Sequence, residues 1–296
     1  MSKKQTCPPF HMDIAGALCV PATLSRAREL YRNEAIGPHE LRAIEENEVR
    51  QLVTRLKSGG MEVITDGGYF RLELSDGWDT FIHTAVQNFS FLTGIVGGNV
   101  WVKQQLPSPG TALTQRLSQL EQPFDTESMQ ACYDDTLHHY LQLMEELALC
   151  GCRYIQFDES RSEPTELTSA INNQVIQNRA EGMYIAFHAN TPTLQQLHQV
   201  DAYFLNYQGG YCDRARLLWF VRQNESAFGF VLSHHPHEED LDEWQAHIDD
   251  VLNYIPRQRF VLCLPEAHPS VCDENDLSRQ WESLRLAAEM AKRVWE

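Results

Sequence analysis

The residues best placed to do chemistry are Asp158 and Glu159, adjacent carboxylates that close the run Arg-Tyr-Ile-Gln-Phe-Asp-Glu-Ser at 153–160. Tyr154, Ile155 and Phe157 have the aromatic and β-branched character of a buried strand. A buried strand that stops on two acids puts charge at its C-terminal edge. That edge is where parallel-sheet proteins bind their ligands. A carboxylate capping the helix after a strand produces the same pattern, so this segment alone leaves both readings open.

Other strand candidates end on polar groups as well: Asp13, Asp66, Gln104, His188, Asn206, His234 with His235, and Glu266 with His268. A single histidine is more often hydrogen-bonded structure than a ligand. A bare scaffold, however, has no need to bring polar groups to nearly every strand end. The set favours acid/base or metal-assisted chemistry. His237 with Glu238, Glu239 and Asp240 reads as the start of a helix, where negative charge meets the dipole. His138 and His139 read as the solvated face of a long helix.

The elements that must hold these groups alternate. Strands are expected at Phe10–Ala15, Glu62–Thr65, Val100–Leu106, Arg153–Phe157, Met183–Phe187, Ala202–Leu205, Phe228–Leu232 and Phe260–Leu264. Helices are expected from the 3.6-residue spacing at Pro38–Ser58, Asp125–Leu149, Pro164–Arg179, Leu194–Val200, Arg214–Arg222, Glu239–Tyr254 and Leu277–Trp295, with a polar helical stretch before Ile36. Residues 72–98 show no clear period and are expected to be an irregular excursion. Pro107-Ser108-Pro109-Gly110 is expected to close the third strand. About eight strands alternating with helices, and no hairpin dipeptide, predict an α/β fold: a (β/α)8 TIM barrel in a single domain. The rival, an open doubly wound sheet, would usually carry a Gly-rich turn after its first strand, and none is present.

Composition narrows the function. With 296 residues and 43% apolar content the chain can bury a full core, and its net charge is −17. The few basic residues form no run, which argues against nucleic acid and anionic membrane surfaces as partners and leaves a small molecule. No stretch of about 18 apolar residues exists, and the N-terminus lacks the apolar region of a secretory signal. The eight cysteines are not spaced as a disulfide framework; Cys19, Cys152 and Cys263 sit in apolar runs and are expected reduced. Cys150-Gly-Cys152 has no second pair to complete a zinc site. A cytoplasmic protein is the expectation.

The order and spacing of several motifs resemble the cobalamin-independent methionine synthase family in its single-barrel form. The resemblance spans nearly the whole chain. It is carried by Asp13 to Gly16 with Pro21, Val63-Ile64-Thr65-Asp66-Gly67, Pro107-Ser108-Pro109, Arg153 to Glu159, His188, His234-His235-Pro236 and Pro265. It implies methyl transfer from a methylated folate to a thiol such as homocysteine, on a zinc held by His, Cys, Glu and Cys. Zinc lowers the thiol's pKa and presents a thiolate. By the resemblance, Asp158 matches the carboxylate that meets the substrate's amine, His234 the proton donor to the departing folate, and His188 the first zinc ligand.

The chain departs from that pattern at its chemical centre. The family's His-x-Cys reads His188-Ala189-Asn190, its glutamate ligand falls at Asn206, and its Pro-x-Cys-Gly reads Pro265-Glu266-Ala267-His268. Asp-Gly-Glu reads Asp66-Gly67-Gly68, and Gly-Ser reads Gly16-Ala17. His188 is thus the one retained zinc ligand, with Glu266 and His268 as neighbours that could rebuild a site. The expected catalytic groups are Asp158, Glu159 and His234. The expected substrate contacts are Asp13, Asp66, Asp158 and Asn206. Three readings follow: an altered methionine-synthase-like enzyme on a small thiol or amino-acid-like substrate, a metal-free lyase or hydrolase on the same barrel, and a ligand-binding homologue without turnover.

Overall fold

The computed structural model describes residues 8–98, 100–120, 125–159, 165–189, 196–206, 214–215, 218, 220, 225–231, 241–264 and 272–295. His234, His235, Glu266, His268 and Asn190 lie outside them, as does the side chain of Asn206. The chain divides into two compact units, 1–71 with 92–101 and 206–296, and 72–91 with 102–205. The fold is α/β, with parallel strands in both.

In the first unit β1 (Met12–Ile14) pairs in parallel with β9 (Phe260–Leu264), which pairs in parallel with β8 (Ala227–Val231). Helix α1 (Ala22–Arg32) and helix α2 (Pro38–Ser58) follow β1. Helix α2 has Gly37 and Pro38 at its start, and Val49, Leu52, Val53 and Leu56 on its buried stripe. That i, i+3, i+4, i+7 spacing is what drives it onto the core. Gly59 and Gly60 stop it, the latter at φ +87°. Helix α7 (Leu241–Leu252) and helix α8 (Glu274–Trp295) complete the unit.

In the second unit four strands run parallel in the order β7, β6, β5, β4: Ala202–Asn206, Tyr184–His188, Tyr154–Asp158 and Gln104–Pro107. Tyr154 to Phe157 are all buried, as parallel strands covered on both faces require. Helices α4 (Pro109–Leu117), α5 (Thr126–Leu149) and α6 (Glu166–Gln177) belong to this unit. Asp125 accepts from the Ser128 N–H at the start of α5, and Thr165 with Thr168 forms a capping box on α6.

Several expectations are corrected. Among the described residues seven strands lie in the main parallel ladders. The second expected strand shrinks to β2 (Val63–Ile64), which pairs with β3 (Trp101–Val102) in a separate two-stranded sheet. The described strands therefore do not close an eight-stranded ladder. Residues 72–98 are not an irregular excursion, since most of them form helix α3, Trp78–Val96. Its buried Trp78, Phe81, Ile82, Ala85, Phe89, Leu92 and Val96 do keep helical spacing. The aromatic clusters masked that period. Pro107-Ser108-Pro109-Gly110 does not merely end a strand; Ser108 caps α4, accepting from the Thr111 N–H at 2.9 Å, and Pro109 takes its first turn. The described end of the expected helix 194–200 is not helical, because Gln199 sits at φ +60°. His139 is not on a solvated face either: its ring stacks on Trp78 with centroids 5.0 Å apart.

The cysteine reading is corrected at one position. Cys19 and Cys272 form a disulfide with Cα atoms 5.8 Å apart at a sequence separation of 253. Parallel pairing of β1 with β9 carries the segments after both strands to one edge, which no local pattern announces. Cys132, Cys152 and Cys263 are buried and lie outside this disulfide, and burial pushes the Cys152 thiol up to about 12.

Candidate functional site

Strand β5 positions the chemistry. Side chains alternate along a strand, so Gln156 and Asp158 share one face and Phe157 takes the other, where it packs near Tyr140 and Phe187. Register places Asp158 beside His188 at the ends of β5 and β6. His188 Nδ1 lies 3.3 Å from Asp158 Oδ1, with the side chains 15% and 35% exposed. The pair is sheltered yet reachable. With its proton on Nδ1, the ring donates to Asp158 and keeps the Nε2 lone pair for a ligand or a proton.

Beneath this pair lies a polar chain that the sequence reading did not single out. Lys103, at the break between β3 and β4, is fully buried and donates from Nζ to Gln156 Oε1 at 2.7 Å. Gln156 Nε2 in turn donates to Asp158 Oδ1 at 2.7 Å. An ammonium has only donors, so it dictates which end of the Gln156 amide faces it. The amide nitrogen must then face Asp158, which is kept as an acceptor. The Lys103 amine also sits 5.5 Å and 5.4 Å from the Tyr154 and Phe204 ring centroids. The available signal was a lysine and a glutamine inside expected strands, since such residues are rarely buried without a partner.

Glu159 goes elsewhere. Its carboxylate accepts from Ser108 Oγ, and from Asn172 Nδ2 at 3.0 Å. Asn172 Oδ1 accepts from the Gly110 N–H at 2.7 Å, and a Cβ on Gly110 would lie 3.0 Å from Asn172 and Thr168. Glu159 thus ties the start of α4 to α6. Burial holds its carboxyl above the usual carboxylate range, opposed by the hydrogen bonds from Ser108, Asn172 and Thr111. The backbone stitches this edge together: the Glu159 N–H donates to His188 O and the Ser108 N–H to Asp158 O.

In the first unit, Asp13 is buried and its Oδ1 accepts from the Ile14 N–H at 2.6 Å. Asp66 accepts from the Gly68 N–H at 3.2 Å and the Phe70 N–H at 3.3 Å. Burial raises its pKa above the usual range despite those bonds. Gly68, where the resemblance would expect glutamate, has φ +76°, and a Cβ there would lie 3.1 Å from that of Ala17. Both departures from the family pattern, at 17 and 68, are therefore packed against each other. The Leu18 N–H donates to Gly67 O at 2.8 Å beside them.

The structure thus brings Asp158 and His188 together, directs Glu159 toward α4 and α6, and ties Asp13 and Asp66 to local backbone. His234, Glu266 and His268 lie outside the described residues. Among the described residues no three of His, Cys, Asp and Glu gather as metal ligands. At the positions matching the family's zinc ligands the chain supplies one imidazole, two asparagines and no thiolate. That donor set does not fit the family's zinc.

No protein-family model matches the sequence. Two uncharacterized Bacillus subtilis (strain 168) proteins resemble it end to end. YxjG is 22% identical, covering 98% of this chain and 96% of its own. YxjH is also 22% identical, covering 99% and 97%. Among solved structures, a Listeria monocytogenes protein provisionally designated a vitamin-B12-independent methionine synthase superposes with a TM-score of 0.77. It is 22% identical, over 97% of this chain and 98% of that one. A B12-independent methionine synthase from Shewanella sp. W3-18-1, solved with selenomethionine, gives a TM-score of 0.68 at 14% identity, over 96% and 98%. These likenesses establish a shared fold. Among the described residues no helix is long and apolar enough to cross a membrane.

Proposed function

We propose that this chain is a methionine-synthase-like protein that binds a small amino-acid-like or thiol substrate at the ends of β5 and β6. The observation that carries this reading is the Asp158–His188 pair, held at 3.3 Å at adjoining strand ends. It is supported by the end-to-end likeness to two methionine-synthase-type structures, one of them solved with an amino acid bound. In this reading Asp158 receives the substrate's ammonium, and the Lys103–Gln156 chain keeps it aimed as an acceptor. His188, oriented by Asp158, holds or moves a proton at Nε2, and Glu159 fixes the chain just after the strand end that carries Asp158. By the resemblance, Asn206 adds a further substrate contact and His234 a second proton carrier, while Asp13 and Asp66 hold their own backbone.

The family's folate and zinc enter only through the resemblance, and no step here runs through either. The same pair also supports a second reading, acid/base chemistry without metal. A carboxylate-oriented imidazole is suited to proton transfer on a bound substrate.

Calorimetry with L-methionine and L-homocysteine tests the binding role. The parent chain is expected to bind at least one, and Asp158→Asn to weaken it by at least about tenfold, as loss of a charge-assisted contact predicts. Equal affinity in parent and variant would sink the role given to Asp158. Elemental analysis of protein purified without chelators decides the metal: near-stoichiometric zinc would mean that Glu266 and His268 have rebuilt a site beside His188.

A further inference from the structure

Away from the strand ends, the first unit carries a groove of about 650 Å³ between the last turn of α2 and the C-terminal half of α8. Arg55, Trp281, Leu284, Arg285, Glu289 and Lys292 line it. Three cations against one carboxylate is the reverse of the chain as a whole, whose net charge is −17. The lone carboxylate is already engaged: Glu289 lies 3.8 Å from Arg285 and 2.9 Å from Arg293. Among the described residues neither Arg55 nor Lys292 has a carboxylate partner. Arg55 instead lies over the Trp281 ring, 5.0 Å from its centroid. The Trp281 indole N–H is buried and has no acceptor among the described residues.

Arg55 and Lys292 each stand in the last turn of a helix, where a cation answers the dipole. Arg285, more than two turns before α8 ends, is set beside Glu289 at i+4. The dipole does not account for a tryptophan N–H left without an acceptor in the wall of the same groove. We propose that this groove binds a small oxygen-rich anion with two or more negative charges, a phosphate ester or a polycarboxylate. Arg55 and Lys292 are its charged contacts, and Trp281 and Leu284 lie against the anion's apolar part. Guanidinium groups suit either chemistry, because phosphate and carboxylate both accept their paired N–H bonds. The inference is independent of the function proposed for the strand ends.

The test is calorimetry of the full chain with pyrophosphate and with citrate, at ionic strength matched by sodium chloride. At least one should bind saturably at one site and quench tryptophan fluorescence, with the quench lost in Trp281→Phe. Arg55→Gln and Lys292→Gln should each weaken binding about tenfold, the loss of one charge-assisted contact. Pyrophosphate alone would identify a phosphate-ester site, citrate alone a polycarboxylate site, and both the shared chemistry. Both positions are exposed, and matched melting curves check the fold; should Arg55→Gln unfold early, Lys292→Gln carries the comparison. No saturable binding of either anion, or binding unchanged in the folded variants, overturns the proposal.

Discussion

The two units use strand-end carboxylates in opposite ways. In the first, Asp66 spends both oxygens on the backbone of its own turn, and the described bond of Asp13 goes to the residue beside it. In the second, Asp158 is held by the side chains of Gln156 and His188 and stays 35% exposed. A carboxylate satisfied by its own turn builds that turn. One oriented by other side chains and left open is free to meet a ligand. Glu159 repeats the lesson one residue away, because alternation along β5 sends it to α4 and α6.

The sharpest way to break this contrast is to delete each acid in turn. Asp66→Ala strands two N–H groups, at half-buried Gly68 and buried Phe70, and is expected to lower unfolding stability by about 3 kcal/mol. Asp158→Asn keeps an acceptor in place and should shift stability by less than about 1 kcal/mol. Urea midpoints for both variants compare them directly, and equal losses would end the distinction.

Restoring the family's glutamate by Gly68→Glu should not gain a substrate contact. The positive φ and the nearby Ala17 Cβ make it destabilising by about 1–3 kcal/mol. A variant as stable as the parent, and binding an amino acid more tightly, would show that the turn adapts.

The smallest effect belongs to Glu159 and is read against pH. Burial holds its carboxyl above the ordinary value. Over the window between the ordinary and the raised value, the folded chain keeps a proton that the unfolded chain has released. Its contribution is therefore full below the ordinary carboxylate range and is lost as pH rises through the raised value. Glu159→Gln should flatten that decline and leave the chain no less stable at neutral pH. The slope should not vanish, since Glu45, Asp66 and Asp201 are raised by burial too. A curve that keeps the parent's full slope would remove Glu159 as a contributor.

Much of this architecture was legible locally. The boundaries of α2 follow from Pro38 at its start and Gly59-Gly60 at its end, and β5 to β9 follow from short β-branched and aromatic runs. The helix α3 was obscured because apolar residues outside its buried stripe, such as Val86, Phe91 and Ile95, blurred the period. The cap on α4 was misread because Ser108-Pro109 is equally good turn and helix-start chemistry. At the site, Asp158 and His188 stood out as polar ends of apolar strands. Lys103 and Gln156 did not, because a polar residue within a strand betrays its partner only when the neighbouring strand is in register.

Periodicity and end signals along the chain were enough to dictate parallel α/β elements and the acids and histidines that end the strands. They also dictate the donor set at the zinc-ligand positions, because residue type alone decides which atoms can bind a metal. Only the tertiary structure decided which acid serves a turn, which ties two helices and which faces a neighbouring histidine. It likewise decided that Cys19 meets Cys272. The reason is physical: hydrogen-bond partners and sulfur contacts depend on strand register and helix packing. Apart from the turn at Asp66, those contacts join residues tens to hundreds of positions apart, beyond the reach of any local pattern.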